Sequence, residues 1–382
     1  MSAPDVFDRI LGQPQVRRFL RAQVAAQCIG QSYLFCGPAG SNKTAAAYAL
    51  AQAALCEKGG CGICSTCEKI RRRNHPDVRY IAPEGAAGYL VGQIRDITSD
   101  VDRAPIQAQR KAYIIDRVDL MNASAANAFL KTLEEPPQHV VLILLGRTRE
   151  AVLPTIVSRC QVVPFRHIPA HEACGIISQN TGVPPMRAAV ALAACDGSIS
   201  RAIEFAKSTE RFAFRQRVLD VMESLPLADD LDIIQYASEL LDAAKAPLDL
   251  VRASQERDLA ASSEFLAKSA IRQIEARNKR ALTARTTESL HQTTAIMRSW
   301  LRDVLAATAG AGVTIVNEDR RAGIEAAALR VKPAALVRAL RAHARCDEAI
   351  RYNVSPETCI DVLLLQIREE LYGSHSAGGV AI

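Results

Sequence analysis

Nowhere in the 382 residues does an apolar run approach the ~18 that a membrane-spanning helix needs. The start, Met1 to Asp8, is polar and acidic, without the basic and then apolar stretch of a secretory leader. A soluble, cytoplasmic protein with no membrane partner is the expectation. Charge of one sign is scarce too. The 47 basic residues are answered by 41 acidic ones, and the net +6 permits contact with nucleic acid without arguing for it. Strand-like alternation is rare from about residue 210 onward, so that part reads as helices, with breaks expected at Pro226, at Pro247 and near Gly310-Ala311-Gly312. The last stretch, Gly373 to Ile382, is small and glycine-bearing and is expected to be disordered. At 49% hydrophobic content, a chain of this length can bury the cores of two or three domains.

Cysteine is not scarce, and its distribution is uneven. Four of the eleven, Cys56, Cys61, Cys64 and Cys67, fall within twelve residues as C-x4-C-x2-C-x2-C, with Gly59, Gly60 and Gly62 available for the turn. Thiolates at that spacing can close a tetrahedral Zn²⁺ site that leaves no position open for catalysis, so a structural zinc is implied. Free cysteines, disulfides or an iron–sulfur cluster are the alternatives, and nothing nearby suggests redox work. Cys28, Cys36, Cys160, Cys174, Cys195, Cys346 and Cys359 stand singly and read as small buried hydrophobes.

The apolar Tyr33-Leu34-Phe35 runs into Gly37-Pro38-Ala39-Gly40-Ser41-Asn42-Lys43-Thr44 and then into the alanine-rich Ala45 to Leu55. That is a strand, a glycine-bearing loop and a helix. A phosphate-binding loop asks for Gly, four residues and Gly-Lys-Ser/Thr: backbone N–H groups wrap the phosphates, the lysine neutralises them and the hydroxyl holds Mg²⁺. Gly37, Lys43 and Thr44 fit, with Gly40 inside the loop. Asn42 stands where the second glycine is required, and is expected to distort the loop.

Further on, Val78-Arg79-Tyr80-Ile81, Lys111 to Asp116, Val140 to Leu145 and Gln161 to Pro164 read as strands, and Gln13 to Ala26, Val91 to Val101 and the run from Asn122 as helices. Such alternation means a parallel sheet. Asp116, ending a strand expected beside the loop's own, is placed to hold Mg²⁺ in the manner of a Walker B aspartate. Arg117 follows it and cannot serve as a base. Asp119 reads as a capping acid, Thr148 as either a γ-phosphate sensor or a loop residue, and Arg71 to Arg73 as the cationic end of a helix. The charge-rich stretch Arg272 to Arg285 reads as a solvated helical face.

The runs Asn127-Ala128-Phe129-Leu130-Lys131-Thr132-Leu133-Glu134-Glu135-Pro136-Pro137 and Leu153-Pro154-Thr155-Ile156-Val157-Ser158-Arg159-Cys160 resemble the AAA+ clamp-loader subunits of bacterial DNA polymerase III. The cysteine cluster after the loop's helix is similar to that of both the delta-prime and the gamma/tau branches. The resemblance covers about residues 6 to 210. It extends more loosely to Ser299-Trp300-Leu301-Arg302-Asp303 and Val316-Asn317-Glu318-Asp319. It implies an α/β plus all-α fold: an AAA+ P-loop-like domain over 1–166 with the zinc insertion at 56–67, a helical lid over 167–209, a helical collar for oligomerisation over 210–371 and a tail over 372–382.

Asn42 and Arg117 depart from the motor subunits' pattern and favour the delta-prime branch. The resemblance then implies a stator without intrinsic ATPase activity that helps to load a sliding clamp onto primed DNA. In it Gly37, Gly40, Asn42, Lys43, Thr44 and Asp116 form a degenerate nucleotide site, with ATP binding in cis left open. By the same resemblance Arg159, with Ser158, is an arginine finger reaching a neighbouring ATPase subunit, or else an arginine packed at a strand entrance and salt-bridged within its own domain, and Arg201 is the counterpart of a nucleotide sensor or else a surface arginine. The implied partners are gamma/tau ATPase subunits and a delta subunit, with the sliding clamp and primer-template DNA met through the complex. An ATP-hydrolysing gamma/tau-like motor is the alternative.

Overall fold

The computed structural model describes residues 5–84, 88–262, 268–310, 315–351 and 354–373. The expected disorder of the tail concerns residues that lie, from 374 on, outside those described. No helix among the described residues is long and apolar enough to cross a membrane. The chain forms two compact units. One holds the residues up to Gly182 together with Gly197–Arg201, and the other holds Val183–Asp196 and the residues from Ala202.

The first unit alternates helix and strand: α1 (Pro14–Ala25), β1 (Ser32–Cys36), α2 (Lys43–Leu55), α3 (Ser65–Arg71), β2 (Val78–Ile81), α4 (Val91–Val101), β3 (Lys111–Ile115), α5 (Ala123–Glu134), β4 (Val140–Gly146), α6 (Pro154–Val157), β5 (Gln161–Pro164) and α7 (Ala170–Thr181). All strand pairs are parallel, in the order β2-β3-β4-β1-β5. Because successive side chains point to opposite faces, β4 divides its buried residues by parity. Val141, Ile143 and Leu145 pack with Ala46, Leu50 and Ala53 of α2. Val140, Leu142 and Leu144 pack with Ile94 and Ile97 of α4 and Phe129 and Leu133 of α5. With both faces covered, the strand reads as an unbroken apolar run. Asn122 caps α5, its Oδ1 accepting from the Ala125 N–H at 2.8 Å.

The strand order corrects one expectation. β4 lies between β1 and β3, so Asp116 does not end a strand next to that of the loop. Local sequence shows which segments are strands, whereas their order follows from which crossovers bury both faces. The loop 37–42, Asp116 and Thr148 still share the carboxyl edge of the sheet, because every strand runs the same way.

The second unit is helical in its described residues: α8 (Pro185–Ala194), α9 (Ile199–Lys207, its first turn assigned to the first unit), α10 (Thr209–Ser224), α11 (Asp230–Ser262), α12 (Lys268–Thr308), α13 (Arg321–Ala328), α14 (Pro333–Arg351) and α15 (Pro356–Tyr372). α12 packs against α10, α11, α13 and α14. A break does occur around Pro226, but α11 runs on through Pro247. A proline removes one intrahelical hydrogen bond, and here α11 packs against α12 and α15. The two short motifs of this unit meet in one buried network. Asp303, fully buried, accepts from the N–H groups of Val316 (3.0 Å) and Asn317 (2.8 Å), and from Asn317 Nδ2 (2.7 Å). Arg215 of α10, 1% exposed, donates to Asn317 Oδ1 (2.7 Å) and to both carboxylate oxygens of Asp319 (2.7 and 2.8 Å). A buried charge needs such complete pairing.

Candidate functional site

The loop after β1 is built by close backbone approaches. A Cβ at Gly37 would meet Phe165 Cβ and O at 2.6 Å, and one at Gly40 (φ +76°) would meet the Gly197 carbonyl oxygen at 2.4 Å. Both positions therefore require glycine. Asn42 takes the left-handed conformation (φ 66°, ψ 21°) that the turn into α2 requires. Instead of distorting the loop, it ties the loop down: Nδ2 donates to the Leu11 carbonyl at 3.0 Å, and Oδ1 accepts from Ser200 Oγ at 3.0 Å. Asparagine tolerates this region because its short amide finds local partners there. Gln13, 3% exposed, braces the same loop by donating to the carbonyls of Ser41 (3.2 Å) and Arg166 (2.8 Å).

The charged groups of the site are engaged by their own chain. Lys43 Nζ donates to the carbonyls of Gly37 and Pro38, the latter at 2.7 Å, and lies 3.3 Å from Ser41 Oγ. Burial lowers its pKa against the opposing field of Asp116. Asp116 Oδ1 accepts from the Arg117 N–H at 3.0 Å, and Oδ2 from the Tyr80 hydroxyl at 2.5 Å. Arg117 is itself left-handed (φ 53°), and Tyr89 donates to the Asp116 carbonyl. Thr44 sits in the first turn of α2. Asp119 accepts from the Arg147 N–H (3.2 Å), and Thr148 from that of Ala151 (3.2 Å). Arg201 lies in α9.

Arg159 follows α6 at the surface, beside Leu133, Glu134 and Ser158. Its Nε donates to Glu134 Oε1 at 2.7 Å, and Nη2 donates to the same oxygen. Nη1 reaches the Thr155 carbonyl (2.9 Å) and Ser158 Oγ (3.1 Å). Arg159 and Ser158 are thus brought together, but apart from the glycine loop, and the ion pair within the domain that was the alternative reading of Arg159 is made with Glu134.

The four clustered cysteines converge, with their sulfurs all within 4.8 Å of one another. Cys56 Sγ lies 3.8 Å from Cys61 Sγ and 3.7 Å from Cys64 Sγ. A disulfide needs about 2.05 Å, whereas a tetrahedron with Zn–S of about 2.3 Å has edges of about 3.8 Å. The donor set fits a metal such as zinc. Gly59, Gly60 and Gly62 all have positive φ, as the tight turn demands. The N–H groups of Ile63 and Cys64 bring the Cys61 thiol down to about 6, favouring the thiolate that a metal binds. Gln52 of α2 donates to the Cys67 carbonyl at 2.7 Å and fixes the module to the sheet domain. Of the single cysteines, Cys36, Cys195, Cys346 and Cys359 are buried and Cys160 and Cys174 half-buried, but Cys28 is exposed, which corrects its expected burial. It follows the end of α1, where the chain turns at the surface.

A parallel sheet with a glycine-bearing loop at its carboxyl edge, an acid two strands away and helices on both faces defines an AAA+-type P-loop domain. Residues 12–169 match the family described as DNA polymerase III, delta subunit, and residues 282–369 the one described as DNA polymerase III, delta subunit, C terminal. The chain belongs to the clamp-loader family of DNA polymerase III subunits. It is 32% identical over 217 residues to DNA polymerase III subunit delta' of Bacillus subtilis, which covers 56% of this chain and 65% of that protein. It is 30% identical over 275 residues to subunit tau of the same organism, covering 65% and 48%. Over 134 residues it is 39% identical to subunit delta' of Pseudomonas aeruginosa, covering 34% and 41%. The alignments thus span less than two thirds of these relatives' lengths.

Proposed function

We propose that this chain is a non-hydrolysing, delta-prime-type subunit of a clamp loader, a cytoplasmic stator that lends Arg159 to the nucleotide site of a neighbouring ATPase subunit. One observation carries the reading: Lys43 and Asp116, the groups that would hold phosphate and Mg²⁺, are both engaged by this chain's own atoms, and Arg159, held by Glu134, Thr155 and Ser158, lies at the surface. Hydrolysis spreads negative charge over the transferred phosphoryl group, and a guanidinium supplied by a neighbour accelerates it by on the order of 10³–10⁵ in well-measured GTPases. A subunit can therefore lose its own chemistry and keep its arginine. On this reading the partners are gamma/tau ATPase subunits and a delta subunit, and the complex carries a sliding clamp to primed DNA. The collar over 210–371 provides assembly, and a structural zinc holds the cysteine module.

The alternative, an ATP-hydrolysing gamma/tau-like motor, is favoured by the longer alignment with the tau subunit. The two readings part in a reconstituted complex. Arg159→Ala is expected to leave assembly intact and to lower DNA-stimulated ATP hydrolysis by at least tenfold, with Lys43→Ala changing it less than twofold. Loss of activity in Lys43→Ala with Arg159→Ala unaffected would establish the motor.

A further inference from the structure

At the carboxyl edge of the sheet, Asp116 is the end of a stack of side chains that no part of the nucleotide-site motif contains. The Tyr80 hydroxyl donates to Asp116 Oδ2 at 2.5 Å. Its ring lies against that of Tyr48, with centroids 6.3 Å apart and planes inclined by 14°. The Arg73 guanidinium sits 5.2 Å from the centre of the Tyr48 ring. Tyr48 belongs to α2, the helix that the glycine loop opens, and Arg73 lies just beyond α3 of the cysteine module. Tyr80 is thus held by stacking within reach of one Asp116 oxygen, and the Arg117 N–H occupies the other.

Each oxygen of the Asp116 carboxylate thus already accepts one hydrogen bond, and a hydrated divalent cation would have to compete with the Tyr80 hydroxyl for Oδ2. The competing bond is charge-assisted and preorganised by the ring stack. Resting on the reading of residues 37–44 and Asp116 as a degenerate nucleotide site, we propose that Tyr80 determines its specificity: by donating to Asp116 Oδ2 it competes with a divalent cation and makes the site discriminate against metal–nucleotide complexes. Lys43 folds onto the loop on the phosphate side, Tyr80 acts on the metal side, and the two bear on different parts of the ligand. Arg73 and Tyr48 are positioning residues, acting only through the orientation of the Tyr80 ring.

The test is binding of a fluorescent ATP analogue to the full-length chain, with Mn²⁺ and with EDTA in its place. Wild type is expected to bind weakly and with equal affinity in both. Tyr80→Phe keeps the ring and its stack and removes only the hydroxyl. Since a hydrogen bond to a charged group is worth about ten- to a hundredfold in an equilibrium, the variant is expected to bind at least tenfold tighter with Mn²⁺ than with EDTA. Adding Asp116→Asn to Tyr80→Phe is expected to abolish that gain, which places the metal at Asp116. Unchanged metal bound at the cysteines and an unchanged melting temperature verify that the variants are folded. Affinity equal with and without Mn²⁺ in folded Tyr80→Phe overturns the proposal, as does wild-type binding that already depends on Mn²⁺. Failure of the stator reading shows elsewhere, as loss of complex ATPase activity in Lys43→Ala, and leaves the metal dependence of Tyr80→Phe to be decided on its own.

Discussion

The carboxylate of Asp77, 1% exposed, accepts from three consecutive backbone N–H groups, those of Ile106 (2.6 Å), Gln107 (2.7 Å) and Ala108 (2.8 Å). One side chain thereby fastens the connection between α4 and β3 to the start of β2. Burial pushes its pKa up, but the three donors outweigh burial and hold the carboxyl below its usual range. A carboxylate depressed in the folded state contributes stability above its unfolded value, about 3.9, and loses it as pH falls through the folded value. Asp77→Ala is expected to cost about 2 kcal/mol at neutral pH, because three donors lose their acceptor. It should also show a shallower loss of stability than wild type below about pH 4. Thermal unfolding across pH measures both, and parallel acid limbs for the two proteins would rule the mechanism out. None of this was legible beforehand, because the acceptor's partners lie about thirty residues away in the sequence. The same holds for Glu134, Tyr48 and Tyr80, whose roles come from neighbours that sequence distance hides.

Elements were far more legible than their partners. All five strands lie where apolar runs bounded by turn residues place them, and α5 begins at the asparagine that caps it. The Cys56–Cys67 module was equally open to reading, since metal-ligand spacing is a local property and three glycines supply the turn. Purified without chelator, the chain is expected to carry about one Zn²⁺. Because metal binding to such a module is folding free energy, chelation or Cys64→Ala should first release amide protection across 56–73 and leave the β1–β4 core protected. Hydrogen exchange with metal analysis checks this, and iron, or an empty site in protein that never met chelator, would contradict it. Pro247 shows the limit of local reading. A proline argues against a helix by itself, but packing of α11 against α12 and α15 outweighs the loss of one bond.

For the molecule as a whole, assembly through the helical region is the property that most needs a direct test. If residues 210–371 act as the collar, a chain ending near Lys207 should retain its bound metal yet fail to co-elute with the ATPase and delta subunits, while the full chain co-elutes. Undiminished co-elution of the shortened chain would refute the collar. The sequence by itself determined the kind of sheet, the glycine loop with its asparagine, the cysteine set and the helical character of the rest. Each of these depends on residues within one turn, one strand or one loop, where propensity and ligand spacing act directly. Only the tertiary structure decided that β4 separates β1 from β3, that Lys43 folds onto its own loop, that Arg159 leans on Glu134, and that Arg215, Asp303 and Asn317 form one buried network. Those facts rest on contacts between segments far apart in the chain. They are set by which faces must be buried and which buried charges must be paired, and no single stretch of residues specifies them.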